Sequence, residues 1–351
     1  MLGAGVYRAF IQTRGGGDQL AELTWGSLSF GRRLDDVSEA SVAVPAGSIS
    51  GRCCSVLEIV RAWQHELAIW RDDDEVWVGV VGKPKYTGAG VVLPARDLFQ
   101  WFARRLLPFD RSYIDTDLGE IFAQYVEDAL SRDTSPNITV ETVSATGVSG
   151  SRQVLASQYR RADDELRELA RSGIDWTMVG RTLRVGGEEV PTGELLMLTT
   201  DSFDDPEIEP DGLETATEVT VVGSRSDDPD VPIVGVYGGP DGDLGLVQIV
   251  EQESSIEDDA SAEAAARTRW EMLHEVPEYV RGALSPFAPV SFDQLVPGAR
   301  VELRVRAGCH SAIGAARLQA LAVDAQVGPE GEVTAKVVPT FIPLGTVESA
   351  A

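Results

Sequence analysis

The hydrophobic period changes twice along this chain, and those changes limit what it can fold into. In "LTWGSLSFGRRLDDVSEASVAVP" (23–45), Leu28 and Phe30 alternate with small polar residues. Arg32-Arg33-Leu34-Asp35-Asp36 turns the chain, and Val42 and Val44 alternate again. A period of two marks half-buried strands. Ser55–Trp63 alternates in the same way, with Val56, Glu58, Val60 and Ala62 on one parity, and is expected to be a strand. "HELAIWRDDDEVWVGVVGK" (65–83) places Leu67 and Ile69 before an Asp72-Asp73-Asp74 tip and Val76, Val78 and Val80 after it, the pattern of a hairpin. Gly90–Pro94 reads as a further short strand.

Near Arg96 the period lengthens. "RDLFQWFARRLL" puts Leu98, Trp101, Phe102 and Leu106 on one helical stripe. "TDLGEIFAQYVEDALSR" gives Leu118, Ile121, Phe122, Tyr125, Val126, Ala129 and Leu130 the spacing of one buried helix face, with Asp117 and Glu120 as a capping pair. "PNITVETV" reads as a strand, "YRRADDELRELARSG" as a helix stopped by Gly173, and "IDWTMVGRTLRVGG" as a hairpin around Val179-Gly180. From Glu218 the period of two returns in "EVTVVGSR", "IVGVYGG" and "LGLVQIVEQ". A helix intervenes at "SAEAAARTRWEML", where Ala262, Ala266, Trp270 and Leu273 share a face and Pro277 ends the run. "APVSFDQLVPGARVELRVRAG", "AARLQALAVDAQV" and "EVTAKVVPTFIPL" are β-like, the last two flanking a Gly328-Pro329-Glu330-Gly331 turn.

The expected architecture is mainly β with an α+β insert. A first β-barrel domain covers 1–96 and an α+β domain 97–200. A second β-barrel domain covers 201–351, with a helical insertion at about 258–282. A chain of 351 residues, 43% of them hydrophobic, has ample apolar material for such cores.

Net charge is −26, which opposes a nucleic-acid groove and an anionic membrane surface alike. The charge is concentrated: Asp201 to Ala260 holds eighteen Asp and Glu against one basic residue, Arg225. A solvated, self-repelling surface, a cation site and a basic partner all fit that stretch. Three cysteines, Cys53, Cys54 and Cys309, make neither a disulfide framework nor a zinc spacing and are expected to be buried free thiols. No secretory signal or membrane-spanning run is expected.

The catalytic constellations are near misses. "HEVPE" at His274 lacks the second histidine of a zinc-protease helix, as does "HELAI" at His65. Gly147-Val148-Ser149-Gly150 and Gly47-Ser48-Ile49-Ser50-Gly51 miss the spacing of a serine elbow. His310 follows Cys309, but neighbours on a strand face opposite ways. Gly3-Ala4-Gly5 and Gly88-Ala89-Gly90 lack the third glycine of a dinucleotide fingerprint. The Asp clusters at 72–74, 227–230 and 241–243 match no calcium loop and read as turn chemistry. No catalytic, cofactor-binding or metal-ligating residue is assigned, no cofactor is expected, and the chain is not expected to be an enzyme.

Four stretches carry a resemblance: "LTWGSLSFGRRLDDVSEASVAVP", "LEIVRAWQHELAIWRDDDEVWVGVVG", "YRRADDELRELARSGIDWTMVGRTLRVGG" and "PFAPVSFDQLVPGARVELRV". Over about residues 7 to 343 the chain resembles the hub subunit at the tip of phage tails. That group includes minor tail proteins of siphophages that infect actinobacteria and baseplate hub proteins of contractile tails. The resemblance implies a structural virion protein, a homotrimer whose barrels form a pseudo-sixfold ring joining the tail tube or distal tail ring to the tip. It implies partners among other tail proteins (distal tail ring, tape measure, tip or receptor-binding proteins), and neither membrane nor sequence-specific nucleic acid. It also implies synthesis in the host cytoplasm and residence at the virion tail tip; with the chain's negative charge, an acidic lumen that repels DNA phosphates is a further hypothesis. Longer members carry C-terminal extensions for receptor binding or wall cleavage, whereas this chain ends soon after "TFIPLGTVESAA" begins. Two alternatives stay open: a receptor- or cell-wall-glycan-binding tail module, and a cell-wall hydrolase using two of the many carboxylates.

Overall fold

A computed structural model of the chain describes residues 2–48, 51–142, 145–187, 195–213, 215–223, 232–242, 244–253, 256, 258–274 and 278–344, with backbone alone at 51–54 and 272. The first segment supplies β1 (Tyr7–Thr13), β2 (Gln19–Leu23), β3 (Ser27–Arg33), β4 (Glu39–Pro45), α1 (Gly51–Ile59), β5 (His65–Arg71), β6 (Asp74–Val81), β7 (Lys85–Thr87) and β8 (Gly90–Asp97). The middle supplies β9 (Arg111–Asp117), α2 (Leu118–Leu130), β10 (Thr139–Thr142), β11 (Ser149–Val154), α3 (Ala162–Arg171), β12 (Asp175–Val179), β13 (Thr182–Gly186) and β14 (Leu196–Thr199). The last supplies β15 (Glu207–Pro210), β16 (Glu218–Gly223), β17 (Ile233–Gly238), β18 (Gln248–Gln252), α4 (Asp259–Leu273), β19 (Glu278–Arg281), β20 (Arg300–Ala307), β21 (His310–Val327) and β22 (Val333–Pro343).

Both ends of the chain enter one twelve-stranded sheet. Its order is β14-β20-β21-β3-β4-β8-β6-β5-β1-β2, with β22 beside β21 and β7 beside β8. The sequence suggested two separate barrels. Instead β3 pairs antiparallel with β21, Leu28 opposite Ala325 and Phe30 opposite Val323, and the two halves share one core. Among the described residues no ladder closes the sheet into a barrel. Periodicity reports which face of a strand is buried, not which strand lies beside it.

The strand β21 makes the joint possible. Its first half pairs with β20, from His310 opposite Ala307 to Arg317 opposite Arg300. Its second half runs between β22 and β3. The register shifts between Leu318 and Ala320. Inward residues are Ala312, Ala316 and Leu318 before the shift and Leu321, Val323 and Ala325 after it. One extra residue, Gln319, flips the parity and keeps every apolar side chain on the core face. The Gln319 carbonyl is not lost, because it accepts from Leu34 N–H at 2.9 Å.

Arg32 occupies an inward position of β3 at this joint and is fully buried. Its guanidinium donates to the Val76 carbonyl at 3.0 Å and to the Leu295 carbonyl at 3.3 Å, and lies 4.8 Å from the Phe292 ring centroid. Burial pushes its pKa down to about 10. One side chain thus bonds the first half of the chain to the last.

The first part of the segment read as a strand at Ser55–Trp63 is helical, in α1, which ends at Ile59, and the rest is a turn. Val56, Leu57 and Val60 are buried and Glu58 is exposed. A strand would have put Glu58 into the core beside Val56 and Val60, so helical spacing wins. The stretch 96–107 contains a 3-10 helix, Leu98–Arg104, in which Leu98, Trp101 and Phe102 are buried as expected and Phe99 is buried as well, while Leu106 beyond it is exposed. Asp97 caps it by accepting from Phe99 N–H at 3.1 Å. The same carboxylate accepts from Ser38 N–H at 2.6 Å and Ser38 Oγ at 2.7 Å. Burial dominates these bonds and raises Asp97 to about 6.

The insert packs on the back of this sheet. Phe10, Ala68, Val78 and Val80 point away from the first core into a second one built on α2, α3 and β12. Both faces of β5 and β6 are therefore covered, which is why their sequences run as near-continuous apolar stretches. The helices α2 and α3 fall where expected, and Asp117 caps α2 through Gly119 and Glu120 N–H. Phe99 stacks on Trp176 at 3.8 Å. Glu66 on β5 pairs with Arg181 of the insert and accepts from Gly15 N–H at 2.9 Å.

The strands β16, β17 and β18 pair only with one another. They do not join β20–β22 in a second barrel. With α4 they form a lobe that has its own small core, Ala216, Val219, Val221 and Ala266. Gly235 allows the helix to approach, since a Cβ there would lie 2.1 Å from the Ala262 backbone. The pair β15–β19 leads into and out of the lobe.

Two outcomes are expected. Arg32→Ala leaves two buried carbonyls without a donor and a cavity at the joint, so chemical denaturation should show a loss on the order of 3 kcal/mol or more. Asp97 binds its proton more tightly folded than unfolded, so its contribution is largest near pH 4 and falls as pH rises through about 6. The stability advantage of the wild type over Asp97→Asn should shrink by about 3 kcal/mol between pH 4 and pH 7; an advantage that grows with pH would contradict the account.

Candidate assembly surfaces

The groups singled out in the sequence do not converge. His65 opens β5, and its Nδ1 accepts from Arg61 N–H at 3.0 Å. His274 follows α4, its ring stacked on Trp270 at 4.3 Å. His310 opens β21 and meets Glu278 Oε1 at 2.8 Å. Cys309 is exposed in the turn before it, not buried as expected. Nothing is described of the Cys53 and Cys54 side chains, and Pro277, the 227–230 cluster and Asp243 lie outside the described residues. Asp72 does turn chemistry: it adopts a left-handed φ of 56° and accepts from Val6 N–H at 2.9 Å. Among the described residues no group of three or more His, Cys, Asp or Glu could hold a metal ion.

Two open clefts lie on the insert. One, about 610 Å³, is lined by Arg152, Arg160, Arg167 and Arg171 with Asp164, Glu165 and Glu168. Each guanidinium is already engaged: Arg160 with Glu165 at 2.7 Å, Arg171 with Glu168 at 3.2 Å, Arg167 with Asp36 at 3.1 Å and Arg152 with Ser172 at 2.5 Å. The other, about 500 Å³, is lined by Arg104, Arg105, Arg132 and Tyr159 among others. The carboxylates raised by burial are Asp97, Asp35 (about 6) and Glu75, and none lines either cleft. Asp35 instead ties the β3–β4 turn to the insert, accepting from Trp176 N–H at 2.8 Å.

The tryptophans offer no exposed sugar platform among the described residues. Trp25, Trp77, Trp101 and Trp176 are buried, and Trp63, Trp70 and Trp270 pack half-buried against the cores.

The large sheet does offer surfaces for assembly. It ends in β2 on one side and β14 on the other, each paired along one edge only. An unpaired edge presents a row of backbone N–H and C=O groups to any strand that can reach it. At β14 the edge carries exposed apolar residues, Leu195 and Met197, the latter 48% exposed. Edge pairing is a property of the folded sheet, so no residue-level motif announced these two strands.

No protein family matches the chain by sequence, and no curated protein does. Solved structures do match in three dimensions. A tail protein from Neisseria meningitidis MC58 aligns with TM-score 0.64 at 14% identity, covering 95% of this chain and 96% of the other. The 43 kDa tail protein of prophage MuSo2 from Shewanella oneidensis aligns with TM-score 0.62 at 11% identity, covering 95% and 98%. A chain of the Francisella PdpA–VgrG complex aligns with TM-score 0.55 at 7% identity, covering 96% of this chain and 52% of that one. At these identities the likeness concerns the fold, which is mainly β and tail-hub-like.

Proposed function

We propose that this chain is a structural subunit of a phage-tail hub. Carrying the reading is the likeness to phage tail proteins over nearly the full length of both chains, in a sheet whose strand path ends in the unpaired edges of β2 and β14. In this reading three copies close into a pseudo-sixfold ring, edges β2 and β14 meet across subunits, and closure removes the exposed edges. Segments 1–96 and 201–351, together with β14 (Leu196–Thr199), form the ring, and the rest of 97–200 is a module between them. The ring joins the tail tube or distal tail ring to the tip of a siphophage, with other tail proteins as partners and the virion tail tip as its place. Its role is mechanical and not enzymatic. The buried position of the raised carboxylates supports that over a hydrolase, and the burial of the tryptophans supports it over a glycan-binding module.

Light scattering at moderate salt tests this. The monomer is 37.7 kDa, so a trimer has about 113 kDa. The wild type should run as the trimer. Met197→Lys, which places a charge on the β14 edge, should reduce it to a monomer with an unchanged far-UV circular dichroism spectrum. A wild-type monomer at every concentration would overturn the ring, and a Met197→Lys trimer would overturn edge pairing at β14.

A further inference from the structure

The lobe of β16, β17, β18 and α4 covers one face of its sheet and leaves the other bare. Val219, Val221 and Ile233 are buried toward the lobe's interior, where Ala262 and Ala266 of α4 are buried too. On the opposite parity, Val250, Thr220 and Val236 form one cross-strand row, and Val222 and Val234 pair in the next. Val234, Val236 and Val250 are 42%, 48% and 64% exposed. The charged side chain on this face is Glu218, at one end, bonded to the Gln248 amide. A contiguous β-branched face left in water marks an interaction surface.

Charge identifies the occupant. The lobe is acidic along its strands and their connections: among the described residues of 215–260, Glu218, Asp241, Glu251, Glu253, Asp258 and Asp259 are acidic and none is basic. Nucleic acid and anionic bilayers are repelled by it. A second copy fits poorly at this face, because a two-fold contact through it would set Glu218 and the acidic residues near it against their own copies. What fits is a protein surface that is aliphatic at its centre and basic at its rim. We propose that the outer face of this lobe docks a different protein chain of that chemistry. The proposal goes beyond the hub reading and stands without it, since it needs neither ring nor edge.

The test uses the full chain and two short labelled peptides of equal charge, one alternating Lys and Val and one alternating Lys and Ser, with binding read by fluorescence anisotropy at moderate salt. The Lys-Val peptide should bind at least about tenfold more tightly. A triple variant, Val234→Thr with Val236→Thr and Val250→Thr, should lose that preference. Threonine is close in shape, favours strands and faces water here, so the melting temperature should hold; Val250→Thr alone serves if the triple variant does not fold. Leu213→Thr, exposed outside these strands, should keep the preference. Equal binding of both peptides, or a preference that survives substitution of the valine face, would overturn the proposal. So would a native mass that falls on the same substitutions, which would mean that a second copy covers the face.

Discussion

The ladder between β3 and β21 is the contact on which the rest of the structure depends. It brings strands nearly three hundred residues apart into register, and it makes one core from the two ends of the chain. Each large aliphatic or aromatic side chain that it helps to bury, such as Leu28, Phe30, Leu321 and Val323, contributes about 1.5–3 kcal/mol. The bulge at Gln319 lets one strand serve β20 first and β3 afterwards without turning its apolar side out. Arg32 adds directional bonds to a register that burial of one face already fixes.

The other parts are arranged around that sheet. The insert covers the back of β1, β5 and β6 and is held by Glu66–Arg181, by Asp35 and by the Phe99–Trp176 stack. The small lobe has its own core and is entered and left through β15 and β19. A rigid sheet with unpaired edges at β2 and β14, a tightly held insert and a separately cored lobe suits a scaffold that meets several neighbours. The titratable groups that burial perturbs most are spent on holding these parts together, not on lining a cleft.

Much of this was legible in the sequence where a segment has a single possible face. The helices α2, α3 and α4 present one apolar stripe each, and the β5–β6 and β21–β22 hairpins carry clear turns. Ser55–Trp63 was misread because apolar residues occupy both parities, and only the exposure of Glu58 separates helix from strand. Partner choice was not legible, because Leu28 and Phe30 would look the same beside any strand. The small lobe hid for a related reason. "IVGVYGG" has apolar residues on both parities, so its pattern does not say that one side is bare. The parity break in "ARLQALAV", apolar at Leu318 and again at Leu321, is the sequence trace of the bulge. The edges β2 and β14 leave no trace, since being last in a sheet is decided by what fails to pair.

Native-state hydrogen exchange against denaturant addresses the central claim, that the two ends of the chain form one cooperative sheet. Amides in Ser27–Arg33 and in His310–Val327 should open with the same free energy and the same denaturant dependence, through a single global event. Protection that persists over 23–97 after it is lost over 300–343, or the reverse, would show two separable domains and contradict the account.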